Sequence, residues 1–136
     1  MLSKELKNTI KEVLQARVQP SFILLFGSHA KGVARGDSDL DIAYFSETIL
    51  TNYERFLLAG DLAEKCHVDV DLVDLQQVDT VFVAQIFSTG ILLNCLDDNE
   101  FIKQRMKAYS MYATLNEQRT EILQGIKERG SVLDES

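Results

Sequence analysis

The chain is poor in proline, cysteine and positive charge, and it holds no long apolar run. One proline in 136 residues, with no low-complexity tract, argues against a disordered chain. The two cysteines, Cys66 and Cys95, make no metal-ligand spacing. Both lie among apolar residues and read as buried free thiols, as a reducing compartment would keep them. Fourteen Lys and Arg stand against twenty-one Asp and Glu, a formal charge of −7. So acidic a body makes a poor general nucleic-acid binder, because phosphate contacts need clustered cations. It suits a protein that binds cations or a basic partner, or one simply kept soluble by its charge. No apolar run reaches membrane-spanning length. The opening stretch MLSKELKNTIKEVL is amphipathic with charges throughout, so no signal peptide is read there. The expected setting is cytoplasmic, with no membrane and no direct nucleic-acid contact.

What is present is a core-forming chain. Hydrophobic residues make up 46%, and the length predicts one domain over residues 1–136. Leu2, Leu6, Ile10, Val13, Leu14 and Val18 recur at helical spacing, so residues 2–18 read as a helix that Ser3 caps and Pro20 stops. Residues 21–26 read as a strand, 28–33 as a short helix, and 40–45 as a second strand. A helix over 51–66 is expected to bury Tyr53, Phe56, Leu57, Leu62 and Ala63. Residues 67–75 predict a third strand, 79–88 a short helix, and 91–96 a fourth strand after Gly90. The last helix, over 99–129, carries Ile102, Met106, Tyr109, Tyr112, Leu115, Ile122 and Ile126; Gly130 ends it before a short tail. Helices alternating with strands indicate an α/β layered fold.

One stretch stands apart: FGSHAKGVARGDSDLDIAY, residues 26–44. An apolar strand delivers Gly27-Ser28, ten residues follow, and a second strand returns with Asp39-Leu40-Asp41. Residues i and i+2 of a strand point the same way, so Asp39 and Asp41 share a face while Leu40 and Ile42 enter the core. Two carboxylates side by side repel unless a cation sits between them. Mg²⁺ is typically held by one or two carboxylates plus substrate phosphates. Gly27 lets the backbone approach closely, and N–H groups of the turn and of a short helix from Ser28 can cradle an anion. The stretch reads as a metal–triphosphate site. Strand three adds Asp69, Asp71 and Asp74; the first two share a face, Asp74 takes the other, and parity does not choose between Asp69 and Asp71.

Gly27-Ser28, ten residues, then Asp39-Leu40-Asp41 resembles the signature of DNA polymerase β-like nucleotidyltransferases, and FGSHAKG…GDSDLDI resembles their smallest branch, the minimal nucleotidyltransferases. The resemblance implies an α/β (α+β) fold: a small mixed β-sheet with helices packed on one face and a long C-terminal helix. It also matches Val70-Asp71-Leu72-Val73-Asp74-Leu75 to a family strand. The third acid, the candidate to accept the attacking hydroxyl's proton, then falls on Asp71. The implied catalytic and metal set is Asp39, Asp41 and Asp71, with two Mg²⁺ ions and ATP as substrate. Gly27, Ser28, Lys31 and Ser38 are the implied nucleotide-binding residues; Ser28 also suits a helix cap, and Ser38 a turn cap. Lys31 and Arg35 can steady phosphates or be solvated loop charges. His29 is expected to be exposed and non-catalytic. Relatives of this size are commonly antitoxins paired with a helical HEPN-domain ribonuclease, so the implied partner is a HEPN toxin in a hetero-oligomer, its tyrosine hydroxyl receiving AMP. Other readings are an antitoxin that masks its partner by contact alone, and a small-molecule nucleotidyltransferase.

Overall fold

The computed structural model describes residues 2–32 and 38–129. Arg35, Gly36, Gly130 and the tail after it lie outside the described residues. The first element, α1 (Lys4–Arg17), starts where the Ser3 side chain accepts the Leu6 N–H at 3.1 Å. It buries Ile10, Val13 and Leu14. Strand β1 (Phe22–Phe26) is buried at all five positions. It runs into α2 (Gly27–Lys31), which Gly32 ends with a left-handed φ of 72°. Next come β2 (Leu40–Phe45), α3 (Asn52–Cys66), β3 (Val70–Asp74), α4 (Thr80–Thr89), β4 (Ile91–Cys95) and α5 (Asp98–Arg129). Caps set the helix starts: Thr51 and Glu54 form a reciprocal capping box on α3, and Asp79 caps α4 by accepting the Phe82 N–H at 2.8 Å.

The sheet order is β3-β2-β1-β4. β1 pairs antiparallel with both β2 and β4, and β2 pairs parallel with β3. The parallel pair needs a crossover, and α3 supplies it. The sheet is therefore mixed, and α5 is the long C-terminal helix.

The placement of helices on one face does not hold: they cover both. Alternation along β1 sends Ile23 and Leu25 into a cluster with Ile10 and Leu14 of α1 and Leu58 and Leu62 of α3. Phe22, Leu24 and Phe26 enter a second cluster with Ile86 and Phe87 of α4 and Ala108 of α5. A central strand sealed on both sides must be apolar at every position, which explains the run Phe22-Ile23-Leu24-Leu25-Phe26. Phe22 anchors the second cluster, stacked on Phe45 at 5.6 Å and edge-on to Phe101 at 5.0 Å.

Two further expectations need correction. α3 buries Leu58, Leu62 and Cys66, whereas Tyr53, Phe56 and Leu57 are 68%, 72% and 47% exposed. Of the cysteines, Cys66 is buried but Cys95 is only half-buried. Both are free.

Candidate active site

The site forms at the end of the sheet where β1 finishes and β2 and β3 begin. Asp41 lies opposite Phe26 on one side and opposite Asp71 on the other. Ala43, Phe45, Val73 and Leu75 pack into the α4–α5 side, so by parity Asp41 and Asp71 belong to that same sheet face. The register of β3 against β2 sets Asp71, and not Asp69, opposite Asp41. Asp69 precedes β3, where its carbonyl accepts the Leu40 N–H at 2.8 Å.

Gly27 carries a φ of +72°, a conformation that strains any residue with a Cβ. It also lacks room for one, since a Cβ there would collide with Oδ2 of Asp41. The turn and the acid thus close on each other. No side chain caps the start of α2, whose N-cap is Phe26. Ser28 lies within the helix, half-buried, rather than capping it. N–H groups at a helix start are apt for an anion.

Two of the acids act on the third. The Asp41 carboxyl is raised above its ordinary value, first by burial, then by the charges of Asp71 and Asp39; His29 works against this. Asp39 and Asp71 are exposed and Asp41 half-buried. This repulsion is what a divalent cation would relieve. Among the described residues no three His, Cys, Asp or Glu side chains are gathered into a ready metal cage. Carboxylate oxygens are hard donors, of the kind that Mg²⁺ takes together with phosphate oxygens.

His29 is half-buried rather than exposed. Its Nε2 lies 3.3 Å from the Ser38 carbonyl oxygen, joining α2 to the approach of β2. Ser38 is half-buried beside the acids, and Lys31 ends α2 exposed. Asp74 takes the opposite sheet face, as parity required, but it is not a solvated acid. It is 1% exposed, its carboxyl is raised by burial, and Oδ1 accepts the Gln76 N–H at 2.9 Å. Tyr109 is exposed on α5 and Tyr112 half-buried. Sequence reading missed Phe82 of α4, whose ring meets that of Phe26, the residue before Gly27, edge-on at 5.8 Å. Its place in an apolar helical stretch marked it only as core.

The family model for "Polymerase beta, Nucleotidyltransferase" matches residues 8–99, a span holding all four strands and every acid above. The protein adenylyltransferase MntA of Shewanella oneidensis is 34% identical over 122 residues, 88% of this chain and 86% of the relative. A crystal structure of a toxin–antitoxin with AMP-PNP is similar at a TM-score of 0.80 and 33% identity, over 89% of this chain and 98% of that one. A structure of tri-AMPylated Shewanella oneidensis HEPN toxin in complex with MNT antitoxin gives 0.77 at 30% identity, over 93% and 99%.

Proposed function

The chain belongs to the polymerase β nucleotidyltransferase family, and on that premise we propose that it moves AMP from ATP to a tyrosine hydroxyl of a partner HEPN toxin, as the antitoxin of the pair. The observation that carries this reading is the meeting of turn and acids: the Asp41 carboxylate fills the space where Gly27 has no Cβ, with Asp71 directly across. A relative named as a protein adenylyltransferase, and an AMPylated toxin found with its antitoxin, support the acceptor class.

In this reading the N–H groups at the start of α2 and the Ser28 hydroxyl hold the β- and γ-phosphates, with Lys31 and Ser38 steadying the nucleotide. Asp39 and Asp41, with Asp71, would hold Mg²⁺, which would supply charge stabilisation to the transfer. Asp71 takes the proton of the acceptor hydroxyl. The hydroxyl oxygen forms a bond to the α-phosphorus in line, the bond to the bridging oxygen breaks, and pyrophosphate leaves. No helix among the described residues is long and apolar enough to cross a membrane. We place the pair in the cytoplasm, with its ATP supply.

The test is incubation with Mg²⁺ and α-labelled ATP, with and without the adjacent gene's product, followed by intact mass. AMP is expected on the partner with the wild type and not with the Asp39→Asn, Asp41→Asn double variant. A partner that stays unlabelled while forming a stable complex overturns the reading in favour of masking by contact. Labelling of a small metabolite without the partner overturns it in favour of another acceptor.

A further inference from the structure

The two acids of the Asp39-Leu40-Asp41 stretch are not held alike. Asp41 lies within β2, opposite Phe26 of β1 and Asp71 of β3, so both ladders fix its backbone. Asp39 precedes the strand and belongs to neither ladder. Sheet pairing begins one residue later, where the Leu40 N–H donates to the Asp69 carbonyl at 2.8 Å. A residue just outside a sheet keeps the freedom of a loop unless something else ties it down. On the other side of Asp39 the chain is met by His29 of α2, whose Nε2 stands 3.3 Å from the Ser38 carbonyl oxygen. A carbonyl oxygen only accepts, so Nε2 carries the hydrogen and donates it. The partners lie nine residues apart in the chain, so the bond belongs to no helix or tight turn. The ring that makes it is half-buried.

We propose that His29 is a positioning residue for the transfer: by donating to the Ser38 carbonyl it fastens Asp39 to the helix that starts at the phosphate turn. The proposal rests on the nucleotidyl-transfer reading above. The Ser38 carbonyl carbon is bonded to the Asp39 nitrogen, and the peptide unit between them is planar. Holding that carbonyl therefore holds the plane from which Asp39 departs. With the Leu40 N–H tied to β3, Asp39 is pinned on both sides, on one by the sheet and on the other by α2. The same short helix starts at Gly27, whose missing Cβ leaves room for the Asp41 carboxylate. One element thus sets both acids, Asp41 by direct packing at Gly27 and Asp39 through His29. The ring also opposes the rise in the Asp41 pKa, which puts it within electrostatic reach of that acid. His29 acts through the Ser38 backbone and needs no contact with the nucleotide. Small displacements of a positioned group cost large factors in rate.

The experiment uses the full chain and its full-length partner, at a temperature well below the Tm of every variant. His29→Leu removes the donor and keeps the bulk. His29→Asn keeps an amide N–H but is too short to bring it to Ser38. His29→Gln sets an amide N–H as many bonds from Cβ as the histidine Nε2. The Leu and Asn variants are expected to lower kcat about tenfold or more, with the KM for the partner within about twofold. The Gln variant should recover kcat to within about threefold of the wild type. A second readout needs neither ATP nor metal: long-range ¹H–¹⁵N correlation of the ring nitrogens. The chain has two histidines, His29 and His67, so the signals lost in His29→Gln identify the ring. Its neutral form should carry the hydrogen on Nε2. A wild type that labels the partner overturns this inference alone if His29→Leu keeps the wild-type kcat, if His29→Gln falls as far as His29→Leu, or if the hydrogen sits on Nδ1. A wild type that transfers nothing to the partner overturns the parent reading, and this inference with it.

Discussion

Gly27 and Asp41 compete for one volume: the Cβ that Gly27 lacks would stand where Oδ2 of Asp41 stands. The glycine is thus required twice, by its φ of +72° and by the acid packed over it. Gly27→Ala should displace the Asp41 carboxylate and strain the turn by roughly 1–2 kcal/mol. Transfer is expected to fall about a hundredfold or more, since small misplacement of reacting groups has that effect. Circular dichroism should still report a folded chain with a modestly lowered Tm. Retained transfer would show that the acid and the turn do not work together.

Asp41 is held at a cost. Burial and the charges of Asp71 and Asp39 raise its pKa, so its charged form is disfavoured in the folded chain. A group raised in this way gives stability that is present below its unfolded pKa and lost as pH rises through the folded one. At neutral pH, without metal, Asp41→Asn should therefore raise Tm while abolishing transfer. Mg²⁺ should raise the Tm of the wild type and not that of the variant, and EDTA should stop transfer until Mg²⁺ is restored. Thermal melts with and without the ion check both halves.

The pairing of Asp41 with Asp71 across β2 and β3 separates two neighbouring acids. Asp71→Asn is expected to remove most transfer, by about a hundredfold or more, under the proposal that Asp71 takes the acceptor's proton. Asp69→Asn should stay within about threefold, because Asp69 precedes the strand and serves it through its backbone carbonyl. Single-turnover rates with saturating ATP decide between them. The reverse ranking would mean that Asp69, and not Asp71, is the acid that serves the site.

Asp74 offers a pH test away from the site. Its carboxyl is buried and raised by desolvation, and Oδ2 has no hydrogen-bond partner among the described residues. Asp74→Asn keeps the acceptor for the Gln76 N–H and removes a buried charge. The folded-state pKa lies above the unfolded one, so the wild type loses this contribution as pH rises. The Tm advantage of the variant should then be larger at pH 7 than below the ordinary aspartate value of 3.8. An advantage that shrinks with rising pH would mean that Asp74 is stabilised as an anion, with Arg55 the nearby cation.

Much of this was legible in residue order. Strand β1 announced itself by five apolar residues before a glycine, and β2 by acids alternating with Leu40 and Ile42. The spacing from Gly27 to Asp41 is local chemistry, which a sequence displays directly. What it does not display is long-range pairing. The match of Asp71 rather than Asp69 to Asp41 depends on how β3 lies against β2, and no period within β3 contains it. The approach of His29 to Ser38 depends on how α2 and the start of β2 return to each other. The second covered face depends on where α4 and α5 pack, not on either helix alone.

Helix α3 shows the same limit most sharply, and it can be tested. The helix carries two apolar stripes, and periodicity cannot say which one meets the sheet. Leu58 and Leu62 are fully buried against α1 and β2 residues, while Phe56 is 72% exposed despite being the larger side chain. Leu58→Ala should cost about 2–5 kcal/mol, the lost transfer energy plus the cavity left behind. Phe56→Ala should fall within about 0.5 kcal/mol of the wild type in the isolated chain, as surface changes do. Urea unfolding at one temperature, read as midpoint at constant m, gives both values. A larger loss at Phe56 would place the other stripe of α3 against the sheet and turn the helix by about 100° per residue of error.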